Sequence, residues 1–150
     1  MLKNIFTKKL CVLLVENNPA DVLVTKLIFN ESGNKEVFVV SDGEAALLFL
    51  RKEGEYADRP FPDLTVLDLN MPRMDGRMFL KEIKKDARFK NIPVIIFTCS
   101  GLEKDASDSA AMGVHYYVRK PIDLDDFASA VESIDYFWLN HILPKSVHRN

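Results

Sequence analysis

Residues 13–21, Leu13-Leu14-Val15-Glu16-Asn17-Asn18-Pro19-Ala20-Asp21 (LLVENNPAD), carry an apolar run straight into a carboxylate followed by two amides and a proline. The run belongs to a longer one, 11–15, that shows no alternation of apolar with polar residues. That pattern fits a parallel strand buried on both faces by crossover helices. Asn18 and Pro19 then supply an N-cap and a proline at the first helical position, so a helix begins almost at once. A strand, a short turn and a helix in this order open a β-α unit. Glu16 stands at the turn as a single carboxylate, and Asn17 occupies the place where a second would complete a metal pocket.

Outward from this stretch the same unit recurs. Further apolar runs at 37–40, 64–69, 93–98 and 115–118 read as strands, making five with the first. Helix signals separate them. The first helix should stop near Ser32-Gly33, where glycine can take the left-handed position; Asp42-Gly43 precedes the second helix, Gly76 the third, and Ser100-Gly101 the fourth, which should end before Gly113. The fifth begins around Asp123 and cannot run normally past Leu143, because Pro144 follows. Strict alternation of this kind predicts an α/β fold, a doubly wound five-stranded parallel sheet with five helices and right-handed crossovers. Residues 53–63 (EGEYADRPFPD) are longer than an ordinary connection and read as a surface insertion or a partner-binding loop.

Bulk properties narrow the classes. At 150 residues the chain is most simply one domain, able to bury roughly two-thirds of its unfolded surface around one core. Its composition is 47% apolar and 28% charged with a net charge of −2, which leaves no basic footprint for nucleic acid. No apolar run approaches the ~18 residues of a membrane helix, and residues 1–10 (MLKNIFTKKL) are too short and lysine-rich for a signal peptide, so a cytoplasmic protein is expected. Cys11 and Cys99 show neither metal spacing nor a disulfide framework and read as reduced thiols.

In open α/β sheets ligands sit beyond the carboxyl ends of the strands. The residues there are Glu16 and Asn17 after the first strand, Asp68 and Asn70 at the third, Thr98 after the fourth and Lys120 after the fifth. Singly each has a plain role in turns or in solvent; together they make one chemistry. Oxygen ligands from Glu16, Asn17, Asp68 and the Asn70 carbonyl suit Mg2+, and nothing offers the sulfur or imidazole that Zn2+ favours. A lysine and a hydroxyl would neutralise and hydrogen-bond phosphoryl oxygens in an in-line transfer, with Asp68 as nucleophile. Pro121 after Lys120 tolerates a cis peptide, one way to aim the lysine into the site.

Four motifs in order, LVE at 14–16, LDLNMPRMDG at 67–76, IFTCS at 96–100 and YVRKP at 117–121, make residues 10–140 resemble the receiver domain of bacterial two-component response regulators. The long 53–63 loop, the lack of an effector domain and the aromatic run Tyr136-Phe137-Trp138-Leu139 look most like the stand-alone regulators paired with bacterial phytochromes. The resemblance implies that Asp68 accepts phosphate from a sensor kinase's histidine, that Glu16 holds Mg2+ through water, that Asn70 ligates it by its carbonyl, and that Lys120 pairs with the phosphoryl group. It implies that Thr98 and Tyr117 form a switch pair, and that the protein is a phosphoacceptor rather than an enzyme, with slow autodephosphorylation at most. Asn17 departs from the family's usual aspartate, which implies a weakened Mg2+ site. Two alternatives follow from the same residues: a degenerate receiver that binds a partner without phosphorylation, which Asn17 favours, and a haloacid-dehalogenase-like phosphatase, which would need a second aspartate where Asn70 stands.

The last helix carries a further expectation. At 100° per residue Phe127, Val131, Ile134 and Trp138 share one stripe, the core face, while Tyr136, Leu139 and Leu143 cluster opposite it. A second apolar stripe on a helix already docked by its first predicts a homodimer interface.

Overall fold

The structure, a computed structural model, describes residues 9–147, with side chains described through residue 145. Residues 1–8, most of the segment judged unfit as a signal peptide, and residues 148–150 of the short tail lie outside the described residues.

The element order is β1 (Leu10–Val15), α1 (Pro19–Glu31), β2 (Lys35–Val40), α2 (Gly43–Arg51), a 3-10 turn (Gly54–Tyr56), β3 (Leu64–Leu67), α3 (Gly76–Lys85), β4 (Val94–Thr98), α4 (Glu103–Ala111), β5 (Tyr116–Arg119) and α5 (Leu124–Phe137). A π turn (Trp138–Ile142) and a short helix, α6 (Leu143–Val147), continue α5. The five strands form one parallel sheet in the order β2-β1-β3-β4-β5. The expected doubly wound architecture is present, with the order reversing between β1 and β3, where such sheets open a crevice.

Residue type explains why these strands are central. Leu13, Val15, Leu67, Val94 and Ile96 face a cluster with Leu47, Phe49, Phe79, Leu80 and Ile83 of α2 and α3. Their neighbours Val12, Leu14, Val66, Ile95 and Phe97 face a second cluster with Phe29 of α1 and Phe127, Val131 and Ile134 of α5. Both parities of each strand are apolar because both faces are covered.

The caps follow the sequence. Asn18 Oδ1 accepts from the Ala20 and Asp21 amides, Asp42 Oδ1 from Ala45, Asp75 Oδ1 from Met78, and Asp123 Oδ1 from Asp125 and Asp126. Gly33 takes a φ of 75° just beyond α1, as its position required. Strand β3 ends at Leu67 rather than Leu69. Asp68 keeps one ladder bond to Val15 and then peels away, its carboxylate accepting from the Asn70 amide at 3.1 Å.

Residues 53–63 fold onto their own domain. Tyr56 packs against Phe49, Phe61 stacks on Phe89, Arg59 lies over the Phe38 ring, and the Cys11 amide donates to Asp63 Oδ2 at 2.8 Å.

The C-terminal helix corrects two expectations. Pro144 does not end helical structure. The π turn interrupts the ladder first, and Pro144 then falls in the opening turn of α6, where a missing N–H is tolerated. The core stripe Phe127, Val131, Ile134 and Trp138 is buried as expected, and Tyr136 is exposed. Leu139 and Leu143, however, are half-buried and pack against the α1/α5 cluster instead of standing opposite it. A π turn uses more residues per revolution than an α turn, so residues in and beyond it come round towards the core stripe.

Candidate functional site

The site is assembled at the carboxyl ends of the strands. Glu16 follows β1 and Asp68 follows β3, and parallel pairing of the two strands, with Val15 opposite Leu67, sets the carboxylates side by side. Thr98 is the last residue of β4, and Lys120 follows β5, its amide donating to the Thr98 carbonyl at 2.7 Å. Gly76 at the start of α3 is fixed by space. A Cβ there would lie 2.2 Å from the Asp68 carbonyl oxygen, so only glycine lets α3 approach this loop.

Asp68 is buried, and its two oxygens are held by different partners. Thr98 Oγ1 donates to Oδ1 at 2.8 Å, and Lys120 Nζ donates to Oδ2 at 3.1 Å. The same ammonium donates to Glu16 Oε1 at 2.5 Å and to Asp21 Oδ2 at 2.9 Å. Burial pushes the Glu16 carboxyl up to about 6, against the pull of Lys120. Burial would drive the Lys120 ammonium down, but hydrogen bonds to Glu16 and Asp21 and the charges of Glu16 and Asp68 outweigh it, holding lysine protonated well above its ordinary range. Lys120 reaches the cluster without a cis bond, since the peptide to Pro121 is trans.

Glu16, Asp68, Thr98 and Lys120 are buried together. Asn17 and Asn70 are exposed at the rim, with Asn70 Nδ2 donating to Thr98 Oγ1 at 3.4 Å. Tyr117 is half-buried, and its hydroxyl donates to the Ser100 carbonyl at 3.1 Å. Tyr136, Leu139 and Leu143 belong to the C-terminal helix and take no part in the cluster.

Three participants escaped the sequence reading. Asp21 lies in the first turn of α1, where an acid is already explained by the helix dipole, so nothing local marks it as a partner of Lys120. Arg77 pairs with Asp105, 28 residues away, with no periodic signal joining them.

Three carboxylates around one ammonium leave an excess of negative charge, and the donors of Glu16, Asp21, Asp68, Asn17 and Asn70 are oxygens, which suits a hard divalent ion. Glu16 and Asp68 are turned to the lysine, so among the described residues no ready cage of three His, Cys, Asp or Glu groups stands open. A cation would take over oxygens that Lys120 now holds. A groove of about 270 Å³ opens beside the cluster between Asp21, Val24, Cys99, Pro121, Leu124 and Phe127.

Residues 12–132 match the response regulator receiver domain family. The chain is 39% identical over 132 residues to the response regulator Rcp1 of Synechocystis sp., covering 87% of this chain and 90% of that one. The crystal structure of the Mn2+-bound form of Rcp1 superposes with a TM-score of 0.84 at 38% identity, over 88% of this chain and 96% of that one. The phosphorylated cyanobacterial phytochrome response regulator RcpA gives 0.83 at 40% identity, over 88% and 95%.

Proposed function

Because the chain belongs to the response regulator receiver domain family, we propose that it accepts a phosphoryl group on Asp68 from the phosphohistidine of a sensor kinase and signals through the rearrangement that follows. The observation that carries this reading is the division of the Asp68 carboxylate between Thr98 and Lys120. An oxygen of Asp68 attacks phosphorus as the donor's N–P bond breaks. Lys120 stands ready to exchange a carboxylate for a phosphoryl oxygen, and the Thr98 hydroxyl to turn from Asp68 towards a second. Tyr117 and Thr98 flank the Ser100 loop, which makes them the pair to register that turn.

Glu16, Asn17, Asp68 and the Asn70 carbonyl are the groups to hold Mg2+, which when bound neutralises the phosphoryl oxygens. Asn17 supplies an amide in place of a carboxylate, so we read the site as one of weakened Mg2+ affinity. The 40% identity to RcpA supports a bacteriophytochrome as the kinase. Its likeness over 90% of Rcp1 and 95% of RcpA supports a regulator of the same kind. Exposed Tyr136, beside the stacked Tyr116–Phe137 pair and His141, supports a homodimer through the C-terminal helix.

Intact mass after incubation with acetyl phosphate and Mg2+ tests the reading. One phosphoryl adduct is expected on the wild type and none on Asp68→Asn. Equal labelling of the two proteins, or no adduct on the wild type from any donor, overturns it.

A further inference from the structure

A second polar system, next to the carboxylate–lysine cluster, has no role in the chemistry so far derived. Arg77, in the first turn of α3, lays its guanidinium against Asp105 of α4. Nε donates to Oδ1 at 2.8 Å and Nη2 to Oδ2 at 2.6 Å, the two-pronged pairing that only arginine makes with a carboxylate. Asp105 is 7% exposed and also accepts from Ser100 Oγ at 2.6 Å. These two donors, Arg77 first, hold its carboxyl down at about 2.

The guanidinium also faces the pocket. Nη2 donates to Asn70 Oδ1 at 3.3 Å, Nη1 donates to the Leu69 carbonyl at 3.4 Å, and Nη1 pairs with Asp75 at 3.4 Å. Asn70 in turn donates to Thr98, which donates to Asp68. Ser100, at the far side of Asp105, offers its carbonyl to the Tyr117 hydroxyl. A continuous polar chain therefore runs from Asp68 through Thr98, Asn70, Arg77 and Asp105 to Ser100 and Tyr117.

We propose that Arg77 is a positioning residue that carries a change at Asp68 to helix α4, by tying Asn70 in the loop after β3 to Asp105 and Ser100 after β4. The inference rests on Asp68 being the phosphoacceptor. Its physical basis is rigidity: a planar, two-pronged pair against a buried carboxylate has one favourable geometry, so the Ser100 loop cannot shift towards Asp68 without moving α4 or breaking the pair. A lysine at position 77 is a point charge that can hold Asp105 or Asn70 but not both.

Hydrogen exchange read by mass spectrometry on the full chain, with and without Mg2+ and beryllium fluoride as a mimic of the acyl-bound phosphoryl group, tests this on wild type, Arg77→Lys, Arg77→Ala and Asp105→Asn. In the wild type, peptides covering residues 68–75 and α4 should both change exchange rate. In all three variants the response at 68–75 should persist while that of α4 is lost, with unchanged protection in β1 showing that the fold is intact. An α4 response of wild-type size in Arg77→Lys and Asp105→Asn overturns the proposal while leaving Asp68 in its role. A wild type silent at 68–75 overturns the phosphoacceptor reading and the proposal with it.

Discussion

Lys120 is surrounded by Glu16, Asp21 and Asp68, and position 17, next to Glu16, carries an amide. A carboxylate there should act on the metal. Two unit charges about 4 Å apart interact by roughly 4 kcal/mol at an effective dielectric near 20, and desolvation removes most of that. A residual ~1.4 kcal/mol is tenfold in affinity. Asn17→Asp is therefore expected to tighten Mg2+ binding about tenfold by calorimetry, and equal affinities would mean that side chain 17 does not face the ion. Asp105 makes a separate expectation. Its carboxyl is lowered from 3.8 to about 2, chiefly by the Arg77 hydrogen bond and then by that of Ser100. A depressed carboxylate stabilises the fold fully above its unfolded value, and that contribution is lost as pH falls through the folded one. Denaturant titrations of wild type and Asp105→Asn should therefore differ at pH 5 and converge between about pH 4 and 2. A gap that stays constant over that window would exclude the linkage.

Among the elements, α5 shows most clearly how the fold is held. Trp138 ends its core stripe, fully buried and edge-on to Phe29 of α1 at 6.5 Å between ring centroids. Removing it leaves a large cavity between helix and sheet, so Trp138→Ala should cost about 3–5 kcal/mol in chemical denaturation. Its indole N–H has no hydrogen-bond partner among the described residues, and an unpaired buried donor weakens the native state. Trp138→Phe gives up that donor along with some volume, and is expected to cost under about 1.5 kcal/mol. Comparable losses for both variants would show that the indole N–H is satisfied after all. The π turn that begins at Trp138 brings Leu139 and Leu143 back towards the core, while Tyr136, on α5 before it, stays in solvent.

At the scale of the whole molecule, no helix among the described residues is long and apolar enough to cross a membrane. Tyr136 is 65% exposed beside the Tyr116–Phe137 stack on the β5 edge of the sheet. Light scattering should find a dimer at roughly micromolar concentration or below for the wild type and a monomer for Tyr136→Glu. Because Leu139 is partly committed to its own core, Tyr136→Glu is the cleaner variant. A monomeric wild type, or a dimeric Tyr136→Glu, removes this face from consideration.

What the sequence by itself determined was whatever a short window of chain encodes. The unbroken apolar runs set both-face burial of β1, β3 and β4, Asn18, Asp42 and Asp123 set helix starts, and the strand-end positions of Glu16, Asp68, Thr98 and Lys120 set the floor of the site. Each depends on neighbours a few residues away, through periodicity or a local hydrogen bond. Only the tertiary structure decided that Asp21 meets Lys120 across 99 residues of sequence, and that Arg77 closes on Asp105 across 28. It also decided that a π turn rotates Leu139 inward. In these cases an acid at a helix start, a basic residue on a helix and an apolar residue late in a helix each carry a sufficient local explanation. Their partners are chosen by how the sheet order and helix packing bring distant segments together, which no local window contains.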